Sequence, residues 1–311
     1  MRLRQLGTTN LKIAPLVLGG NVFGWTADRA VSFAILDAFL EAGFNAIDTA
    51  DVYSRFAPGH KGGESETMIG EWITERGVRD RVVLITKGGL EMGAGMKGLG
   101  RSYLLRACEA SLERLRTDRV DVYLAHRADP TVRIEETLEA MQTLIDSGKI
   151  RYAGCSNYTP AQLSTALGAS AQRHARYAVI EPHYNLIEQG QYEGALEEIC
   201  VGERLGVIAY FALASGFLTG KYRAREDLSG SARSGAVAAY MNPRGLKLLQ
   251  ALDSVAARHR ATPAQIALAW IMARPSVTAP IASATSVQQL TDLMQAVNLT
   301  LSPEDFMVLN A

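Results

Sequence analysis

The sequence predicts an α/β protein of (β/α)8 TIM-barrel class, on three observations. Short apolar runs of strand length recur eight times, segments with helical spacing separate them, and each run is apolar nearly throughout, as in a parallel sheet covered on both faces. The runs are Ala14–Leu18, Ala46–Asp48, Val82–Thr86, Val120–Ala125, Ile150–Cys155, Ala178–Glu181, Val207–Tyr210 and Thr278–Ile281. Helical spacing covers Ala30–Ala42, where Val31, Ala34, Ile35, Ala38 and Phe39 share a face, then Thr67–Glu75, Tyr103–Leu115, Ile134–Ser147, Pro160–Gly168, Tyr192–Leu205, Arg244–Ala257 and Val287–Ala296. Thr159-Pro160 and Thr262-Pro263 each place a proline at a first helical position behind a capping hydroxyl. Barrels of this kind typically take about 250 residues, so 311 residues suit one such domain spanning the whole chain.

Two regions exceed eight plain units. Arg2–Ile13, with its turn-rich LGTTNLKI, is expected to form a β-hairpin that plugs one end of the barrel. Phe211–Asn242, after the seventh strand, is a long connection rich in Gly, Ser and Ala, and such lengths inside a compact domain usually serve function.

Composition narrows the function classes. Apolar residues make up 48% of the chain, while Lys plus Arg and Asp plus Glu number 32 each, so no basic excess exists to grip nucleic acid or an anionic membrane. No apolar run reaches the ~18 residues of a membrane span, and the N-terminal apolar piece is short and broken by Pro15, unlike a signal peptide. Cys108, Cys155 and Cys200 are far apart, show no metal-ligand spacing and are odd in number, which fits reduced thiols in a cytoplasmic protein. The glycines Gly93, Gly95 and Gly98 have G-x-G-x-x-G spacing, yet Lys87 ends the preceding strand several residues earlier, so the match is read as a loop at the barrel mouth.

Active sites of such barrels gather at the carboxyl ends of the strands. There the second strand ends in Asp48 with Tyr53 in its loop, the third in Lys87 and the fourth in His126. Taken singly, each has a structural explanation as turn former, snorkelling lysine or satisfied histidine. Together on one rim they suit proton transfer to a carbonyl. A phenol's pKa of about 10 is too high for ready exchange near neutrality, and a neighbouring cation favours the phenolate. On this reading Tyr53 is the general acid, Lys87 tunes it, Asp48 anchors Lys87, and His126 hydrogen-bonds the carbonyl oxygen. No metal cluster is visible, so a hydride carrier is needed.

The motifs GFNAIDTADVYS, LITKGG, VDVYLAHRADP, GCSNYTP, PHYNLIEQ and ASGFLTGKY, in this order, resemble the aldo-keto reductase superfamily over nearly the whole chain. The resemblance implies a barrel reductase that uses a nicotinamide cofactor, usually NADPH, without metal, with Asp48, Tyr53, Lys87 and His126 as its catalytic four. It implies Ser156 and Asn157 at the carboxamide, Tyr210 stacked on the nicotinamide, and Phe211, Leu213, Gly216, Leu218, Thr219, Gly220 and Lys221 along the pyrophosphate, with Gly20 and Asn21 also at the cofactor. Three departures stand out. Glu181 replaces the usual carboxamide-binding Gln, and Phe211-Ala212 replaces Ser-Pro. Where many members set an Arg or Lys against the 2′-phosphate, this chain offers Ser283, Thr285, Ser286 and Gln289, with Arg233 from the long loop as a further candidate. NADPH is therefore expected, with NADH as the alternative.

Val22, Phe23 and Trp25 after the first strand, and Arg127 beside His126, are expected to face a small carbonyl substrate, Phe23 and Trp25 having an equal claim to be core. Two other readings stay open: an NAD-dependent sugar or alcohol dehydrogenase, and a low-turnover cofactor-binding subunit resembling potassium-channel β subunits. Substrate, direction of reaction and oligomeric state do not follow from the sequence.

Overall fold

A computed structural model describes residues 1–170, 174–229 and 233–310. A two-stranded antiparallel hairpin comes first, β1 (Arg4–Gln5) and β2 (Lys12–Ile13). Eight parallel strands follow: β3 (Val17–Gly19), β4 (Ala46–Asp48), β5 (Val83–Gly88), β6 (Val120–Ala125), β7 (Ile150–Ser156), β8 (Tyr177–Glu181), β9 (Gly206–Ala209) and β10 (Ala279–Ala282). They pair in sequence order, and β10 returns to β3 to close the barrel.

The helices are α1 (Arg29–Glu41), α2 (Glu64–Arg76), α3 (Arg101–Leu115), α4 (Ile134–Asp146), α5 (Pro160–Ala169), α6 (Ala195–Gly202), α7 (Ser234–Ala238), α8 (Pro243–His259), α9 (Pro263–Met272), α10 (Val287–Met294) and α11 (Pro303–Leu309). Their ends follow local chemistry. Thr159, Thr262 and Ser302 each close a capping box ahead of a Pro in the first turn of α5, α9 and α11. The sequence reading placed the start of α9 but did not delineate α7, α9 or α11. It began the first barrel strand three residues early and drew the helix after β8 too long at both ends.

Two apolar layers result. Val17, Ala46, Val83, Ile85, Val122, Leu124, Val179, Ile208 and Ala279 fill the barrel interior and meet Leu6, Leu11 and Ile13 of the hairpin, which thereby stops the amino-terminal end. Gly7 makes this fit possible, since a Cβ there would stand 2.2 Å from the amide nitrogen of Gly206, and its φ of 57° already favours glycine. The alternate strand side chains face outward and join the larger core under the helices, with Trp72, Trp270 and Phe39 among its bulkiest members. With one mouth plugged, side chains that carry chemistry are left the carboxyl-terminal mouth.

The long connection after β9 is built of two short 3-10 turns, Ala214–Thr219 and Arg225–Leu228, followed by α7. The glycine-rich stretch after β5 makes a tight turn, with Met92 N–H donating to Met96 O (2.8 Å) and Leu99 N–H held by Asp129 (3.0 Å).

Candidate active site

Seven of the eight barrel strands deliver a polar side chain within one residue of their carboxyl ends: Asp48, Lys87, His126, Ser156, Glu181, Tyr210 and Ser283. Lys87 is their hub. It lies in the register row next to the end of β5, wholly buried, and its Nζ donates to both oxygens of Asp48 (2.6 and 2.8 Å), to Thr49 O (3.0 Å) and to the Tyr53 hydroxyl (3.0 Å). Glu181 Oε1 stands 3.3 Å away on the other side. The Tyr53 hydroxyl donates in turn to Asp48 Oδ2 (3.2 Å), and the His126 ring meets the Tyr53 ring edge-on at 6.2 Å. The four predicted catalytic side chains therefore come together in one cluster.

Electrostatics in this dry cluster corrects one part of the sequence reading. Burial first, and then the Asp48 charge, drive the Tyr53 phenol above its ordinary pKa, and Lys87 only partly offsets them. The phenol is thus held in its protonated form. Burial works against the Lys87 ammonium, but Asp48, then Glu181 and Tyr53, outweigh it and hold its pKa well above the lysine norm. His126 is pushed down to about 3 by burial, then by Lys87 and Arg127, so it is a neutral imidazole across the physiological range, and its Nδ1 is buried without a partner.

Asp51 answers differently from its neighbour Asp48. Both its carboxylate oxygens are buried without partners, and burial, then Glu66, raises it to about 8. It stands behind the rim on the side of Glu66, whose Oε2 accepts from Arg114 Nε at 2.7 Å and whose Oε1 accepts from Thr86 Oγ1.

Around the hub, Ser156 Oγ donates to Glu181 O (2.9 Å). Asn157, at φ 58°, donates from Nδ2 to His126 O and Ser156 Oγ and accepts from the Tyr210 hydroxyl (2.6 Å). Glu181 Oε2 is buried and unpartnered. The amide of Asn157 has both its protons spent, so what this corner still offers a ligand is acceptor capacity at Asn157 Oδ1 and Glu181. The half-buried Tyr210 ring stacks on His183 at 5.3 Å. Among the described residues no three His, Cys, Asp or Glu side chains converge as metal ligands.

The sequence profile of the Aldo/keto reductase family matches residues 15–311. The chain belongs to the aldo/keto reductase family. It is 33% identical to Aldo-keto reductase YhdN of Bacillus subtilis, covering 93% of this chain and 85% of that one. It is 32% identical to a probable voltage-gated potassium channel subunit beta of Arabidopsis thaliana, with 96% and 92% covered. It is 30% identical to the L-glyceraldehyde 3-phosphate reductase of Escherichia coli O157:H7, with 98% and 90% covered. Family membership and these names make the aldo/keto reductase fold seen here that of an oxidoreductase.

The remaining predicted residues of this aldo/keto reductase fall into three groups. Gly20, beside Asp48 through its N–H to Asp48 O (2.7 Å), Asn21 and Ser283 lie together, Ser283 Oγ donating to Asn21 Oδ1 (2.7 Å). Arg233 reaches the same Asn21 oxygen (3.4 Å) and lies over the Trp25 ring, so the long loop crosses the mouth to the first strand's loop. Thr285 is exposed, bonded through N–H and hydroxyl to Gln289 Oε1, with no Lys or Arg between Ser283 and Leu293.

The loop after β9 carries strained backbone, with Phe211, Ala214 and Ser215 in the left-handed region at φ 53°, 47° and 58°. A proline at 212 would push residue 211 toward extended backbone, whereas Ala212 lets Phe211 turn outward, 44% exposed. Thr219 Oγ1 donates to Gly216 O (2.7 Å), Leu213 is half-buried, Gly216 and Gly220 have φ 99° and 75°, and exposed Lys221 lies over the Tyr222 ring. Leu218 is fully buried.

The substrate-facing expectations need correction. Val22 and Phe23 pack in the core, 2% and 0% exposed, with Ser54 Oγ donating to Phe23 O (2.9 Å). Trp25 stays half-buried and Arg127 exposed. Sequence reading missed Phe56, which stands 59% exposed with its ring edge-on to Trp25 at 4.6 Å. Its place three residues after Tyr53 was the available signal.

Proposed function

We propose that the chain reduces aldehydes or ketones to alcohols with a nicotinamide cofactor, NADPH being favoured and NADH the alternative. The observation that carries this reading is the direct contact of the Tyr53 hydroxyl with both Lys87 Nζ and Asp48 in a buried corner beside a neutral His126.

The bound cofactor supplies a hydride. Tyr210 would stack against its ring, Ser156, Asn157 and Glu181 would hold its carboxamide, and the strained loop from Leu213 to Lys221 would follow the pyrophosphate, its glycines admitting close backbone approach. The orphaned Glu181 Oε2 fits an amide N–H donor there. His126 would donate to the carbonyl oxygen, orienting it toward Tyr53. Tyr53 then gives up its proton as negative charge grows on that oxygen, and Lys87, fixed by Asp48, stabilises the phenolate left behind. Trp25 and Phe56 would flank the carbonyl's apolar body.

The test is Tyr53→Phe. Carbonyl reduction is expected to fall by about 100- to 10,000-fold, the usual share of a positioned acid, with cofactor affinity retained by fluorescence titration. Unchanged turnover would refute the assignment.

Exposed Thr285, without a cation in its segment, favours a second reading: an NAD-dependent dehydrogenase. A strong preference for NADPH over NADH in dissociation constants rejects it. Likeness to the potassium channel subunit beta supports a third, slow cofactor binding with little turnover. Comparing single-turnover oxidation of bound cofactor with the steady-state rate separates that from a working reductase.

A further inference from the structure

The hub holds one ammonium, one part-buried phenol and two carboxyl groups, the ammonium and both carboxyls being almost wholly buried. Asp48 has the two short contacts to Lys87 and accepts from Tyr53, while Glu181 has one longer contact at 3.3 Å and a bare Oε2. With both carboxyls ionised the buried cluster would carry a net negative charge, and low dielectric penalises that strongly. One proton neutralises it, and the carboxyl with fewer donors, Glu181, is where it resides. Burial, then the Asp48 charge, raise Glu181 well above a usual carboxyl. The charged or titratable groups facing Glu181 are Asp48 of β4, Lys87 of β5, Tyr53 of the β4 loop and Tyr210 after β9.

Taking the proposed reductase reading as its basis, we propose that Glu181 is an internal proton store for the reaction, acting through Lys87, and that it ionises as the bound cofactor becomes oxidised. The contacts form a line, Glu181 to Lys87 (3.3 Å) to the Tyr53 hydroxyl (3.0 Å). During reduction the carbonyl carbon receives a hydride, a proton with two electrons, and the C=O π bond opens. Tyr53 gives its hydroxyl proton to the carbonyl oxygen, completing the alcohol. Lys87 returns a proton to the phenolate and takes one from Glu181. Glu181 is left with one negative charge, which would offset the positive charge of an oxidised nicotinamide, so the buried site would end as neutral as it began. Solvent re-protonates Glu181 after the products leave. A glutamine at 181 would fill the same volume and hold the same carboxamide, but it has no proton to give.

Calorimetry in buffers of different ionisation enthalpy, with NADP⁺ and NADPH as probes, counts the protons involved. At pH 7 the oxidised cofactor is expected to release roughly one proton more per site than the reduced one, and its affinity to rise about tenfold per pH unit, as linkage requires. That difference should vanish in Glu181→Gln and persist in Tyr53→Phe, which separates the store from the phenol. Equal proton counts for both redox forms in the wild-type protein, or a difference that survives in Glu181→Gln, would overturn the inference. Failure of the wild-type protein to bind either nicotinamide cofactor would overturn the reductase reading itself. The decisive comparison is between two ligands on one unmodified protein, so it does not hang on how a variant folds.

Discussion

Replacing Lys87 with Met tests the electrostatic core of the site. Nζ neutralises the buried Asp48, lies 3.3 Å from Glu181, and satisfies Thr49 O and the Tyr53 hydroxyl, and Asp48, Thr49 and Glu181 are shut off from solvent. Removing one member of a buried ion pair costs about 3–5 kcal/mol, and Met fills most of the vacated volume, so the cost is chiefly the stranded charge. Its pH dependence has a definite sign. In the wild-type protein burial raises both carboxyls, Glu181 well above the usual range and Asp48 with Lys87 opposing the rise. Without the cation, Asp48 rises further. A carboxyl whose folded pKa exceeds the unfolded value of about 4 is deprotonated first in the unfolded chain, so stability falls as pH rises between the two values. The penalty of Lys87→Met should therefore grow by about 1.4 kcal/mol per pH unit, one proton's worth, from near pH 4 until Asp48 ionises in the folded variant. Denaturant titration of both proteins at pH 5.5 and 8.5, followed by circular dichroism, measures it. A loss under about 1 kcal/mol, well short of a stranded buried charge, or an equal loss at both pH values, would refute the reasoning.

Asp51→Asn should be near neutral for stability below about pH 4 and increasingly stabilising from there toward pH 8, because the Asp51 pKa of about 8 lies above its unfolded value and wild-type stability drains through that window. Melting temperatures across pH check this, and a constant offset contradicts it. Thr285→Arg should tighten NADPH by about tenfold, the worth of a modest charge-assisted contact, and leave NADH unchanged. Equal gains for both cofactors would show that residue 285 does not face the 2′-phosphate.

The alternation of apolar strands with amphipathic helices was legible along the chain, because each strand of a parallel barrel is buried on both faces and shows this locally. The catalytic candidates were legible for the same reason: an ionisable residue at the end of an apolar run stands out, and Asp48, Lys87 and His126 each end one. Strand ends also give their placement on a common rim, since parallel closure brings all carboxyl ends to one side. Tertiary structure decided what depends on distances across the barrel and on burial. Only closure sets Glu181 of β8 beside Lys87 of β5, three strands apart in chain order at about one hydrogen-bond length, 3.3 Å. Only solvent exclusion makes Tyr53 a poorer acid despite its lysine, withdraws Phe23 into the core and leaves Phe56 outside. A linear pattern records which side chains point inward, whereas the sign of a pKa shift depends on which charges meet once water has gone.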